Sequence, residues 1–263
     1  VAIEHLLGAL IFLPFLFRST SKVKRLDRKG WVSIFWVSIC GGLLGTYFYT
    51  KALGYVNYID LSVVVLIQKL QPLFAISLAS IVLREKVSKS FIFLASTAIL
   101  GGYLTTFGNK PFLFLDNKSI IASLFALLAS FCWGSSTVLG KAALKQIPFE
   151  LMTCIRLIVT GTVALLIITS SGNISNIYSL SIENYKTIIV IVFTSGSIAL
   201  SIYYYGLQNL AASHTTIYEL VWPLSAVLID WLIRGKTLSF AQMIGAIILV
   251  SSITILTKEN SSE

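Results

Sequence analysis

The chain has 263 residues, of which 56% are hydrophobic and only 12% charged, about half the charge of a soluble domain. Apolar runs of about twenty residues, enough to cross ~30 Å of hydrocarbon at 1.5 Å per helical residue, exclude an ordinary soluble protein. The net charge of +9 gathers in one short loop instead of a basic face interleaved with aromatics, which excludes a nucleic-acid surface.

The pattern predicts nine membrane-spanning helices. The first, 1–17, is apolar from Val1 onward, contains Glu4 and His5, and lacks the basic start and cleavage site of a signal peptide. The link 18–30 holds Arg18, Lys22, Lys24, Arg25, Arg28 and Lys29, a cytoplasmic loop by the positive-inside rule. The second span, 31–53, begins with Trp31 and Trp36, which read as interface anchors, and carries Gly41, Gly42 and Gly45, a spacing that lets helices approach closely. Spans 60–83 and 89–107 follow. A polar link, 108–118, contains Asn109, Lys110, Pro111, Asp116 and Asn117. The remaining spans are 119–144, 149–171, 185–207, 213–233 and 239–257, with a Ser/Asn-rich link at 172–184 and a polar tail after Thr257.

An internal repeat emerges at an offset of 151. His5-Leu6 falls on Arg156-Leu157, Gly45 on Gly196, Gln68 on Glu219, Pro72 on Pro223, and Val87-Ser88 on Leu238-Ser239. The span 119–144, shifted back by 151, falls before Val1. The expectation is therefore an all-α polytopic membrane protein of two five-helix repeats, with the first helix missing and nine present. The N-terminal half is 1–110 and the C-terminal half 119–258. An odd-numbered unit repeated once lies antiparallel to its copy, which gives inverted topology. With the 18–30 loop inside, cytoplasmic segments hold twelve Lys and Arg and outer segments five.

The two most informative stretches are Gln68-Lys69-Leu70-Gln71-Pro72 and Glu219-Leu220-Val221-Trp222-Pro223. A proline inside a helix removes one N–H and clashes with the carbonyl four residues earlier, here Gln68 and Glu219. Positions three apart share a helix face, so Gln68 with Gln71, and Glu219 with Trp222, form matching stripes. Intramembrane Lys and Glu each cost on the order of 2.5–3.5 kcal/mol by insertion scales and turn toward an interior. Two readings follow: packing helices with a Lys69–Glu219 pair serving assembly, or a solute site near the membrane midplane.

The stretch Ile67-Gln68-Lys69-Leu70-Gln71-Pro72, the Arg84-Glu85-Lys86-Val87-Ser88 turn and Phe131-Cys132-Trp133-Gly134-Ser135-Ser136 resemble EamA-type permeases of the drug/metabolite transporter superfamily, over nearly the whole chain. The resemblance implies ten helices in two inverted halves around a central cavity. It also implies alternating-access transport, efflux of small metabolites such as amino acids or amphipathic compounds, and a place in the cell inner (plasma) membrane. Substrate-binding candidates are Gln68, Gln71, Trp133, Ser136, Glu219 and Trp222, on helices bent at Pro72 and Pro223; Tyr204, within Tyr203-Tyr204-Tyr205, joins them as a stacking surface. Lys69 and Glu219 are the candidate charge pair, and Glu219 the candidate for proton coupling. Where the first half has Glu85, the second has Lys236, a departure from the repeat.

The partners expected are a small-molecule solute and the lipid bilayer; the oligomeric state is not encoded in any motif. Cys40, Cys132 and Cys154 sit singly in apolar runs and no C-x-x-C occurs, so neither a disulfide framework nor a metal site is expected, and no cofactor. An intramembrane enzyme is disfavoured: H-E-x-x-H is absent, and Asp60 and Asp230 lie near span ends. A channel or a non-transporting structural subunit stays open as the alternative.

Overall fold

The computed structural model describes residues 1–55, 61–108, 117–172, 174, 180–233, 235, 237 and 239–260. Asp60, Asn109, Lys110, Pro111, Asp116, Arg234 and Lys236 lie outside the described residues, as do the side chains of Pro223 and Asp230. The secondary structure described is all helix: α1 Ala2–Arg18, α2 Thr20–Lys24, α3 Arg28–Leu53, α4 Leu61–Gln68, α5 Gln71–Leu83, α6 Lys89–Phe107, α7 Asn117–Leu144, α8 Phe149–Ser170, α9 Ile182–Asn209, α10 Ala212–Tyr218, α11 Val221–Leu232 and α12 Phe240–Asn260. Five of them contain stretches long and apolar enough to cross a membrane alone: Arg28–Leu53, Ile120–Leu144, Phe149–Ser170, Ile182–Asn209 and Phe240–Lys258. The protein is an all-α, polytopic membrane protein.

Three differences from a plain series of spans stand out. The basic loop folds in part into the short helix α2. The third span divides into α4 and α5, and the eighth into α10 and α11, so both are interrupted helices. Wide π-helical turns occupy Val37–Leu44 in α3, Ala79–Leu83 in α5 and Val192–Gly196 in α9. The first and last of these lie in helices that the repeat offset relates.

Two compact units divide the chain, Val1–Thr46 with Ser135–Ala211, and Tyr47–Gly134 with Ala212–Glu263. Each draws on both sequence halves. In the first unit α1 lies along α8, where Gly161 leaves room for Leu6, since a Cβ there would stand 2.8 Å from its side chain. Ala9, Phe12, Cys154 and Leu157 form the buried seam. Gly42 admits Thr160, whose hydroxyl donates to the Ser38 carbonyl at 2.9 Å. Small residues allow backbones this close in lipid, where packing and hydrogen bonds hold helices together. Asp27 starts α3 by accepting from Gly30 N–H at 2.6 Å, and the Gln146 amide donates to the same carboxylate at 2.9 Å. The Trp36 indole N–H donates to the Ser135 hydroxyl at 3.0 Å.

The second unit centres on α6 against α12. A Cβ at Gly101 would meet the backbone of Leu249 at 2.7 Å, and one at Gly245 would collide with Thr105 N. Thr97 and Ser252 hydroxyls meet at 2.9 Å along the same crossing. Phe91, Leu94, Ala95 and Ala98 pack with Ile217, Leu220, Leu224, Leu249 and Leu256, which ties α10 and α11 to this pair. Ser88 caps α6 by accepting from Phe91 N–H at 3.0 Å. Ser239 caps α12 in a reciprocal box, Gln242 N–H donating to its hydroxyl at 3.3 Å while its own N–H donates to the Gln242 side chain at 2.9 Å. These two serines are repeat equivalents.

Candidate solute site

The site begins with the two helix interruptions. Ahead of Pro72, the chain leaves α geometry: Leu70 N–H donates to Ile67 C=O at 3.1 Å, a tighter three-residue closure. Ahead of Pro223, Leu220 N–H donates to Ile217 C=O at 3.0 Å in the same way. The helices break at Lys69-Leu70 and at Glu219-Leu220, within the four residues that precede each proline, and past the second break Trp222 N–H donates to the Glu219 carbonyl at 3.1 Å.

The breaks turn polar side chains toward one another inside the second unit. Gln68 and Gln71 are both 7% exposed. The Gln68 amide donates to the Gln71 side-chain carbonyl at 3.1 Å, and the Gln71 amide donates to Glu219 Oε2 at 2.5 Å. A directed relay thus runs from Gln68 through Gln71 to the Glu219 carboxylate, joining the two interrupted helices across 148 residues of sequence. Buried amides demand such pairing, because an unmet polar group in an apolar setting costs several kcal/mol.

Lys69 does not form the expected ion pair with Glu219. Its ammonium stands 4.3 Å from the ring centroid of Trp222, a cation–π geometry. Trp222 is 57% exposed. On α7, Gly134 passes the break, where a Cβ would stand 2.8 Å from the Gln71 carbonyl oxygen. Its neighbour Trp133 stacks in a tilted pair with Tyr49, centroids 5.4 Å apart.

Two candidates from the sequence lie in the first unit. Ser136 is buried against Gly41, its hydroxyl 2.8 Å from where a Cβ would stand. Tyr204 is 1% exposed and its hydroxyl accepts from Arg156 Nη1 at 2.6 Å. It is therefore a core residue of that unit holding a guanidinium. Gln68, Gln71, Lys69, Trp133, Glu219 and Trp222 all belong to the second unit.

Sequence reasoning missed a second tie between the interrupted helices. Glu85, just after Arg84 with its left-handed φ of 57°, accepts from Ala212 N–H at 2.8 Å, Ser213 N–H at 3.1 Å and the Ser213 hydroxyl at 2.7 Å. It caps α10 from 127 residues away. The only signal was an acidic residue directly after a span, without a hint of its partner.

Among the described residues no group of three or more His, Cys, Asp or Glu side chains is arranged to hold a metal ion. A helical membrane protein with interrupted helices, and buried amides and a carboxylate at the breaks, has the build of a secondary transporter. The profile of the EamA-like transporter family matches residues 1–107 and 120–258. The chain belongs to that family of transporters. It is 38% identical over 263 residues, 99% of this chain and 88% of the relative, to the riboflavin transporter ImpX of Fusobacterium nucleatum subsp. nucleatum. It is 26% identical to an uncharacterized transporter of Synechocystis sp., covering 93% of this chain and 70% of that one. A solved crystal structure, 14% identical, matches with a TM-score of 0.72 over 98% of this chain and 86% of its own, a likeness of fold alone.

Proposed function

We propose that the chain carries riboflavin, or a flavin-like solute with an imide edge and a flat ring, across the cell inner (plasma) membrane by alternating access. The observation that carries the reading is the Gln68–Gln71–Glu219 relay in the same unit as the exposed Trp222. A carboxamide offers one donor and one acceptor side by side, the complement of an imide edge, and a carboxylate accepts a further N–H or hydroxyl. Trp222 supplies a stacking surface for the ring. The 38% identity to a riboflavin transporter supports the choice of solute.

In this reading the solute inserts its imide edge into the relay, replacing the bond between Gln71 and Glu219, and its ring lies on Trp222. Lys69, displaced from that face, then stands near the carboxylate it did not pair with in the empty state. Glu219 is the group through which a proton couples to the cycle. The basic loop before α3 faces the cytoplasm.

The test is flavin fluorescence flux into proteoliposomes. Wild type shows saturable flux and counterflow. Gln71→Leu, which breaks both links of the relay, lowers flux at least about tenfold, the equivalent of about 1.4 kcal/mol. Non-saturable flux without counterflow favours a channel, and absence of flavin flux with intact folded protein refutes the solute. Vesicles loaded from inside or outside give the direction of net transport.

A further inference from the structure

We infer that Arg156, in the first unit, is an oxyanion site that takes the paired oxygens of a carboxylate or phosphate on one edge of its guanidinium. An arginine has five N–H donors in a fixed planar fork. Its Nη1 donates to the Tyr204 hydroxyl at 2.6 Å, and the guanidinium carbon lies 5.5 Å from the Tyr204 ring centroid. Tyr204 is itself 1% exposed, its ring 3.5 Å from where a Cβ of Gly140 would stand. The guanidinium is thus held in one orientation by a partner that uses only one edge.

The other edge is the fork formed by Nε–H and Nη2–H, which point the same way. Nε is buried and has no hydrogen-bond partner. Among the described residues no hydrogen bond engages Nη2 and no carboxylate forms an ion pair with Arg156. Nη2 lies 3.5 Å from where a Cβ of Gly41 would stand, so the residue facing it has no side chain. Glu4, on the helix packed along α8, turns its Oε1 toward Gly196, 3.1 Å from the corresponding point. His5 is the other titratable group within electrostatic reach.

An unpaired guanidinium inside a membrane span is costly, and such residues face partners or ligands. A buried donor left unmet calls for a bound group. The Nε/Nη2 fork matches carboxylate and phosphate oxygens two to two, a geometry lysine cannot reproduce. The ligand chemistry is therefore an oxyanion, whether from a soluble acid or from a phospholipid headgroup. This site is separate from the relay at Gln71 and Glu219, and its occupancy does not depend on flavin transport.

The experiment uses the full chain, delipidated in neutral detergent, with inorganic phosphate as the probe against chloride at equal ionic strength. Phosphate raises the apparent Tm by about 3 °C at saturation, and Arg156→Lys loses at least half of that rise. In parallel, the Arg156 Nε–H resonance of 15N-arginine protein, assigned through its response to Tyr204→Phe, moves with phosphate in wild type. This measurement stands even where the lysine variant does not fold. Added phosphatidylcholine that moves the same resonance and abolishes the phosphate increment identifies the headgroup as occupant. A phosphate increment that survives lipid identifies a soluble acid. An equal rise with chloride, an undiminished rise in Arg156→Lys, or an Nε–H resonance unmoved by phosphate and lipid overturns the inference.

Discussion

Removing the Glu85 carboxylate tests the tie between the two interrupted helices. Glu85 accepts three hydrogen bonds from Ala212 and Ser213, between 2.7 and 3.1 Å. A hydrogen bond to a charged acceptor contributes about 1.5–3 kcal/mol net, which for three gives an upper bound near ~9 kcal/mol if they simply added. They share one carboxylate and one helix end, and Glu85 is partly open to solvent, so water replaces part of the loss. Losing a helix N-cap costs about 0.5–2 kcal/mol in measured cases. The expected cost of Glu85→Ala is therefore about 2 kcal/mol, at the upper end of that range, because Ala212 is itself buried. For a chain of this length that corresponds to a fall of about 4–8 °C in apparent Tm. Glu85→Gln keeps one acceptor oxygen and falls about half as far. The assay is a thermal scan in detergent at one fixed rate, since membrane-protein unfolding is often irreversible and scan-rate dependent. A Glu85→Ala protein within 1 °C of wild type, or a glutamine variant as damaged as the alanine one, refutes the reasoning.

Other outcomes follow from the same packing and hydrogen bonds. Gly245→Val drives a branched side chain into the backbone of Thr105 and destabilises the α6–α12 crossing by about 1–3 kcal/mol or more, as overpacking does; an unchanged Tm refutes the close approach. The Gly30 N–H bond, and then the Gln146 amide, hold the Asp27 carboxyl below its ordinary value. A carboxylate lowered in the folded state stabilises above its unfolded pKa, near 3.8, and loses that contribution as pH falls through the lower folded value. Asp27→Asn is therefore less stable than wild type at neutral pH, and the gap closes below about pH 3.8. Because Asp27 is fully exposed the effect is small, and Tm measured across pH 3–7 for both proteins checks it. A gap that widens on acidification refutes this account.

Much of the fold was legible because the spans are continuous apolar runs and lipid forces each into helix. Pro72 and Pro223 mark where a bend is expected, since proline acts on the carbonyl four residues back, but not that each helix stops and restarts, at Lys69-Leu70 and at Glu219-Leu220. The π-helical turns were not legible, because no residue type marks a widened turn. Partners set by helix rotation also escaped: Lys69 over Trp222 instead of against Glu219, Tyr204 on Arg156, and Glu85 on Ala212 and Ser213. Each depends on which azimuth a helix presents after packing, and an uninterrupted hydrophobic run carries little of that information.

The chain passes between its two compact units at three places. Only one, at Ala211, lies between helices. The others fall within α3, between Thr46 and Tyr47, and within α7, between Gly134 and Ser135. At two of the three places, then, the chain leaves one unit and enters the other along continuous helix, and only the third crossing is made through a loop residue. Gly134, at the crossing in α7, has no side chain where one would meet the Gln71 carbonyl, so the helix that joins the units is also the one that seats the first break.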